Sequence, residues 1–236
     1  VFRTLVGKLC FAAAQTWGRS ARAGLRALFR NARKDPVPVT ALLQVWLRYF
    51  SVLLPTAPPR VLAVSDARLR CTLWVDGAWR ANVGTIGAVL QTPVGVFYWG
   101  GTVPQTVADS WRNSGQTHLV YPAELYAVWV ALETFAGLLR GCALLIFEDN
   151  EGARHSLMSG SASNPAAALQ IHRVWASPAR ADHLPWVARV LSACNLADAP
   201  IDWTPRWLVS FAGPRSTPST PILQLRPKPP PLWPTS

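Results

Sequence analysis

The middle of this 236-residue chain contains three strand-like runs in succession, followed by alternating helical and strand-like runs. The runs at residues 69–75, 85–92 and 96–103 are rich in β-branched and aromatic residues. A turn around Pro93 and Gly95 joins the last two runs, which predicts antiparallel pairing. This order restricts the region to an α/β domain that begins with an antiparallel meander.

The rest of the predicted domain alternates between helix and strand. A polar, turn-rich insertion at 104–120 precedes a helix over 122–139, which has a proline at its first position. A short buried strand at 143–147 follows, and then helices from Asn150 and over 165–174 lead to a last strand at 186–191. The sequence therefore predicts a mixed five-stranded sheet, three antiparallel strands and then parallel strands, flanked by helices over residues 62–205.

Two further regions flank the predicted domain. Residues 1–60 read as an N-terminal helical segment and a proline-containing linker, because apolar residues recur there at helical spacing. Within this segment, one helix face carries a basic stripe of Arg22, Arg26, Arg30 and Arg33. Residues 206–236 are rich in proline, serine and threonine and are predicted to be a disordered tail.

The overall charge indicates a polyanionic partner. The net charge is +11 and the isoelectric point about 10.5, so nucleic acid is the expected partner and the arginine stripe is its candidate contact. The most apolar stretch, residues 128–147, is interrupted by Glu133 and Arg140, which argues against a membrane span. Four scattered cysteines predict neither a disulfide framework nor a zinc site. We therefore expect an intracellular protein of the nucleus or cytoplasm.

Four acidic residues lie at the ends of predicted elements, although the chain has only 12 acids. Asp76 and Asp149 end strands, Glu124 lies in the first turn of a helix, and Asp198 follows the last strand. In the predicted sheet these carboxylates can meet at one edge. Two Mg²⁺ ions held by shared carboxylates, with Mn²⁺ as the alternative ion, are the chemistry that such a cluster serves at a polynucleotide phosphate.

Each acid also has a structural interpretation that stays open at this point. Asp76 precedes a glycine as turn residues do, Glu124 complements a helix dipole, and Asp198 can cap a helix. Asn150 is expected to be the N-cap of the following helix rather than a ligand. Glu148 and Glu151 are interpreted as solvated neighbours of Asp149. Trp79 and Trp111, in polar surroundings, are candidates for stacking on bases.

Four short motifs carry a resemblance to a known family. They are residues 74–78 (WVDGA), 122–125 (PAEL), 147–150 (FEDN) and 189–200 (RVLSACNLADAP). In this order they resemble the ribonuclease H domain of reverse transcriptases from retroelements and hepadnavirus-like polymerases. The segment before them is similar to the thumb or connection segment of those polymerases. The resemblance implies an RNase H-like fold and Mg²⁺-dependent endonucleolytic hydrolysis of the RNA strand of RNA/DNA hybrids. It also implies Asp76, Glu124, Asp149 and Asp198 as catalytic metal ligands and a reverse transcriptase polyprotein as the context.

Several departures from the family pattern keep two alternatives open. Glu148 stands where the family has threonine or serine, and residues 201–203 replace the serine and arginine that follow the last motif. A Tyr-x-Asp-Asp polymerase motif is absent. One alternative is a catalytically inactive nucleic-acid-binding remnant of the same fold. The other is a DDE-type integrase or DNA nuclease, although those sites end in a glutamate on a late helix.

Overall fold

The structure is a computed structural model that describes residues 2–13, 18–34, 37–56, 67–181, 184–198 and 222–224. The predicted linker around Pro58, most of the predicted tail and residues 199–205 lie outside these ranges. None of the helices within the described ranges has the length and hydropathy needed to cross a membrane.

A mixed sheet forms the centre of the fold. Its strands are β1 (Leu69–Arg80), β2 (Val83–Thr92), β3 (Gly95–Thr102), β4 (Cys142–Glu148), β5 (Leu184–Arg189) and β6 (Ile222–Gln224). The strand order is β5-β4-β1-β2-β3-β6. Strands β1, β2 and β3 pair antiparallel, whereas β4 pairs parallel with both β1 and β5. The predicted arrangement of three antiparallel strands followed by parallel strands is confirmed.

The sheet has six strands in the described residues rather than the predicted five. The additional strand β6 lies within the segment predicted to be a disordered tail, and it pairs parallel with β3. The edge of β3 would otherwise present unpaired backbone groups, which favour the addition of a further strand. Ile222 and Leu223 belong to a short apolar run in a proline-rich segment, so the sequence alone did not mark them as a strand.

Seven α-helices surround the sheet in the described residues. They are α1 (Phe2–Ala12), α2 (Arg22–Ala32), α3 (Ala41–Thr56), α4 (Gln105–Asn113), α5 (Val120–Thr134), α6 (Glu151–Ser159) and α7 (Pro165–Ala181). Helix α5 is buried from Pro122 to Leu132 and packs on β1, β2 and α7. Since it is apolar on every side, its position at the centre of the fold follows from its sequence.

The N-terminal helices share a core with the α/β region. Helix α2 packs on α7, and Trp46 and Tyr49 of α3 contact the ring of His172 with centroid distances of 5.3 and 4.1 Å. Val6 of α1, Leu28 of α2 and Trp46 are buried in the same apolar cluster as the sheet. The predicted helical segment is therefore helical and packs against the α/β region.

The segment predicted to be a turn-rich insertion contains the helix α4. Trp111 is 3% exposed and makes edge-to-face contacts with Trp79 and Tyr126 at centroid distances of 6.3 and 5.8 Å. Because only Ala108 and Trp111 are buried, the apolar face of α4 is too narrow to be recognised in its polar sequence. The candidate role of Trp111 in stacking on bases was wrong, since its ring lies in the core.

Candidate active site at the rim of the sheet

Two of the candidate carboxylates lie side by side because β1 and β4 are parallel neighbours. Trp74 of β1 is the register partner of Phe147 of β4, and the two rings stack with a centroid distance of 5.6 Å. Asp76 and Asp149 each follow two residues later, so both lie at the same level, just beyond the ladder between β1 and β4. The prediction that Asp76 ends its strand was wrong, because β1 continues to Arg80 and pairs with β2 there. The parallel pairing predicted from the sequence is what brings them together.

Glu124 reaches the rim from the first turns of α5, and the glycine that follows Asp76 makes this approach sterically allowed. A Cβ atom on Gly77 would lie 2.6 Å from the backbone C of Ala123 and from the backbone N of Glu124. Burial raises the pKa of both Asp76 and Glu124, and a hydrogen bond from the backbone N–H of Gly77 to each carboxyl group offsets a small part of this increase. The absence of a side chain at Gly77 therefore lets α5 pack directly on β1.

Asp76, Glu124 and Asp149 form a group that can hold a metal ion. Their ligand oxygen atoms lie within 4.8 Å of one another. Asp76 is 8% exposed, Glu124 is 4% exposed and Asp149 is partly exposed. The three side chains come from β1, α5 and the end of β4, so the tertiary structure assembles the cluster.

The fourth predicted acid, Asp198, lies beside this group and is not one of its three members. It is exposed, and it follows the short 3₁₀ helix Ser192–Cys194 and a turn. A hydrogen bond between the Asp198 and Asp76 carboxyl groups raises the pKa of Asp76. All four predicted acids therefore converge, with Asp198 at the solvent side and in contact with Asp76.

Burial and mutual repulsion disfavour the charged forms of this cluster. Burial, followed by the neighbouring carboxyls of Asp198 and Asp149, raises the pKa of Asp76 to about 8. Burial, followed by the charges of Glu148, Asp76 and Asp149, raises the pKa of Glu124 to about 11. Without a counterion, the folded protein therefore retains protons that isolated carboxylates lose well below neutral pH.

Glu148 is a further buried carboxylate that the sequence interpretation misplaced. It was expected to be solvated, but it is 0% exposed. Its Oε1 atom accepts a hydrogen bond of 3.2 Å from the backbone N–H of Asn150. Burial raises the pKa of Glu148 well above its usual value. In β4 it lies on the same face as the buried residues Cys142, Leu144 and Ile146. Because the residues between these three are also apolar, the sequence carried no signal for which face is the inner one.

The donor set fits a divalent cation. The Oε2 atoms of Glu124 and Glu148 are buried and have no hydrogen-bond partner. A buried carboxylate oxygen without a partner is costly, and several such groups in contact repel each other. A hard cation, which prefers carboxylate oxygens, would offset both costs. The cluster of Asp76, Glu124 and Asp149 is therefore a candidate metal centre.

The predicted arginine stripe lies on one face of α2. Arg22, Arg26, Arg30 and Arg33 are all exposed, as a solvated or ligand-binding face requires. Arg26 donates to Ser161 Oγ at 3.0 Å and Arg30 to the Ser163 carbonyl at 2.9 Å. These serines follow the C-terminal end of α6, whereas the metal cluster lies beside its N-terminal end. The nine residues of α6 give the helix a length of about 14 Å. Two of the four arginines therefore brace the α6–α7 loop.

Asn150 has the capping role predicted for it. Its side chain accepts a hydrogen bond of 3.0 Å from the backbone N–H of Ala153 at the start of α6. Asp149 is thereby held between the end of β4 and a capped helix N-terminus.

Comparison with known proteins gives similarity at the level of structure. No family model and no curated protein sequence matches the chain. RNase H1 of Halobacterium salinarum is similar over 57% of this chain and 99% of its own, with 20% identity and a TM-score of 0.41. The N-terminal RNase H domain of a Mycobacterium tuberculosis protein is similar over 57% of this chain and 95% of its own, with 17% identity and a TM-score of 0.40.

A third similar structure is an RNase H1 isolated from compost by a metagenomic approach, solved in complex with an RNA/DNA hybrid. It is similar over 59% of this chain and 99% of its own, with 13% identity and a TM-score of 0.41. The fold itself follows from the strand order. It is a meander of three antiparallel strands continued by the parallel strands β4 and β5, with the buried helix α5 packed on β1.

Proposed function

We propose that this chain is a metal-dependent endonuclease that hydrolyses the RNA strand of RNA/DNA hybrids. The observation that carries the proposal is the convergence of Asp76, Glu124 and Asp149 from three separate elements, with ligand atoms within 4.8 Å of one another. Buried like charges are costly, so this arrangement supports a role that requires them. Structural roles such as capping or turn formation do not require three acids at one point.

In this proposal the carboxylates hold Mg²⁺, with Mn²⁺ as the alternative. Bound divalent ions of this kind activate a water nucleophile and stabilise the leaving oxygen of a phosphodiester. Asp76, Glu124 and Asp149 supply ligands from the buried side, and Asp198 supplies one from the solvent side beside Asp76. The N-cap contact of Asn150 keeps the Asp149 backbone in place.

The proposed substrate follows from charge and from groove geometry. With a net charge of +11, the protein attracts polyanions, and the exposed stripe of α2 is a proposed contact for backbone phosphates. Selectivity for a hybrid requires contacts to 2′-hydroxyl groups across a shallow minor groove. We propose this selectivity from the motif resemblance and assign no residue to it.

We also propose that the chain is part of a retroelement reverse transcriptase. The support is the resemblance of residues 189–200 to the corresponding segment of that family and the helical segment packed ahead of the α/β region. The flanking reading frame tests this context. A Tyr-x-Asp-Asp polymerase motif encoded just upstream is the expected finding, and an unrelated upstream frame would remove the proposal.

One observation favours the alternative of a non-catalytic remnant. Glu148 adds a fully buried carboxyl group next to the cluster, which becomes a negative charge on deprotonation, at a position where the family has a neutral hydroxyl residue. An excess of negative charge alters how many cations the site holds. Under this alternative the protein binds hybrids through its positive charge but does not cleave them.

The test is a cleavage assay on an RNA/DNA hybrid, with duplex DNA and single-stranded RNA of the same sequence as competing substrates. We expect Mg²⁺-dependent cleavage of the hybrid RNA, loss of cleavage in EDTA, and loss in Asp149→Asn. The matched control is Asp109→Asn in α4, an exposed aspartate paired with Arg112 outside the cluster. It should retain full activity.

The other outcomes identify the alternatives. If wild type and Asp149→Asn bind the hybrid equally and neither cleaves it, the protein is a binding remnant. If duplex DNA is cleaved in preference to the hybrid, the protein is a DNA nuclease of the same fold.

A further inference from the structure

Asn195 is a buried polar residue that connects two parts of the candidate site. It is 6% exposed, and its Nδ2 atom donates a hydrogen bond of 2.9 Å to the backbone carbonyl of Val75. Its Oδ1 atom accepts one of 3.3 Å from the backbone N–H of Ala197. Val75 precedes Asp76, and Ala197 precedes Asp198. One side chain therefore joins the backbones that carry two of the four acids.

The carbonyl of Val75 lies where β1 no longer pairs with β4, although β1 still pairs with β2 there. The parallel ladder between β1 and β4 ends at the pair Trp74 and Phe147. Val75 is the first residue beyond this ladder, and the amide of Asn195 binds its carbonyl. A buried carbonyl without a partner would be costly, so this hydrogen bond favours the observed position of the turn.

The turn that carries Asp198 has mainly local backbone bonds of its own. The N–H of Asn195 donates to the Ser192 carbonyl at 3.0 Å, and the N–H of Asp198 donates to the Asn195 carbonyl at 3.3 Å. These bonds shape the turn but do not orient it relative to β1. The Asn195–Val75 hydrogen bond spans 120 positions of the chain and supplies that orientation.

We propose that Asn195 is a positioning residue that holds Asp198 against Asp76, so that the fourth carboxylate contributes to divalent-cation binding. The inference rests on the proposed function, because it takes the cluster to be a metal centre. Loss of an outer residue that orients a metal ligand typically lowers metal affinity about 10–100-fold. A purely structural role for Asn195 would lower stability without this loss.

The test measures Mn²⁺ binding to the intact protein by titration calorimetry, independently of activity. Asn195→Ser is the main variant. Its hydroxyl can still accept from the Ala197 N–H, but it is too short to reach Val75. We expect Mn²⁺ affinity to fall about 10–100-fold. Val187→Ala is the matched control, since Val187 is a buried β5 residue outside the cluster. It should lower the melting temperature and leave Mn²⁺ affinity unchanged.

A double-mutant cycle with Asp198→Asn shows whether Asn195 acts through Asp198. If it does, the double variant has the same Mn²⁺ affinity as the single variant that binds Mn²⁺ less tightly. Full additivity of the two losses, or wild-type affinity in Asn195→Ser, would overturn the inference. Should Asn195→Ser not fold, the isosteric Asn195→Asp decides. Its added negative charge by itself strengthens cation binding, so weaker binding supports the lost donor, and equal or tighter binding overturns it.

The same titration separates the inference from the proposed function. If wild type binds Mn²⁺ no better than Asp149→Asn, the metal centre and the inference both fail. If wild type binds more tightly than Asp149→Asn and Asn195→Ser matches wild type, only the role of Asn195 fails.

Discussion

The carboxylate cluster and the arginine stripe of α2 are both groups of four like charges, but the fold treats them in opposite ways. The acids come from four places between residues 76 and 198, and two of them are buried with a raised pKa. The arginines come from a single helical segment and are all exposed. Two of them donate to the loop at residues 161–163.

Because of this difference, the buried acids indicate a function more strongly than the exposed arginines do. An exposed stripe on one helix costs little free energy and also arises as an ordinary solvated face. A buried cluster of carboxylates lowers the stability of the metal-free fold, and it forms only if several elements pack in one arrangement. The proposed function therefore rests on the cluster, and the stripe contributes only to a substrate contact.

The largest expected effect comes from Gly77→Ala, which acts on the assembly of the cluster. The new methyl group would lie 2.6 Å from backbone atoms of Ala123 and Glu124, so α5 must move away from β1. We expect hybrid cleavage to fall to background and stability to fall by about 1–3 kcal/mol, as for other overpacked sites. Cleavage assays and urea unfolding measure the two effects.

Gly137→Ala is the control for that substitution. No atom lies within 4 Å of a Cβ built at Gly137, so this change should leave both quantities unaffected. Full activity in Gly77→Ala would show that cleavage does not require the close contact between α5 and β1 at Glu124.

The second prediction concerns the pH dependence of stability without metal. The pKa of Asp76 is raised from 3.8 to about 8, so the unfolded chain loses this proton first as the pH rises. The free energy of unfolding should therefore fall between about pH 4 and pH 8 in EDTA, by up to about 1.4 kcal/mol per pH unit from this group. Urea unfolding at several pH values measures the slope.

Asp76→Asn removes this proton and should reduce the slope, while the buried carboxyls of Glu124 and Glu148 keep the rest of it, and Mg²⁺ should reduce the slope in wild type. The same slope in both proteins would contradict the assignment of the raised pKa to Asp76.

The third prediction is that Glu148→Gln stabilises the metal-free protein by about 1–2 kcal/mol at neutral pH. The glutamine can still accept from the Asn150 N–H, and it removes the burial cost of a carboxylate. Glu133→Gln in α5, where the glutamate is partly exposed, should change stability by less than about 0.5 kcal/mol. Equal effects at the two sites would mean that Glu148 is not under electrostatic strain.

The smallest expected effect is that of the stripe. Replacing Arg22 and Arg33 by glutamine should leave stability unchanged. The slope of the logarithm of the hybrid-binding constant against the logarithm of salt concentration should fall in magnitude by about two. Arg70 and Arg140 are exposed arginines at the opposite end of β1 and β4 from the acids, so their double glutamine variant is the control. If both double variants change the slope equally, the stripe has no special role in binding.

Local patterns were sufficient to predict much of the fold. Alternating and apolar runs predicted the meander, the strand β4 and the buried helix α5, and their order predicted a mixed sheet. The first hairpin was predicted too short. Its turn residues Ala81 and Asn82 both have positive φ angles, of 47° and 65°. Asparagine is common in such turns but alanine is not, so the pair lacks the usual Asn-Gly pattern of a two-residue hairpin turn. The helix α4 and the strand β6 were missed because each depends on packing against a distant surface.

The identity and order of the four acids were determined by the sequence alone, and so were the positions of Asp149 after β4 and of Glu124 near the start of α5. The tertiary structure decided that Asp76 lies within β1, which continues to Arg80 along β2. Only the tertiary structure decided that Glu148 is buried, that Asp198 is exposed beside Asp76, and that Asn195 joins the two backbones. The physical reason is that burial and long-range hydrogen bonds depend on which elements become neighbours. Residues 75 and 195 become neighbours only when β1 and the turn before Asp198 meet at the rim of the sheet.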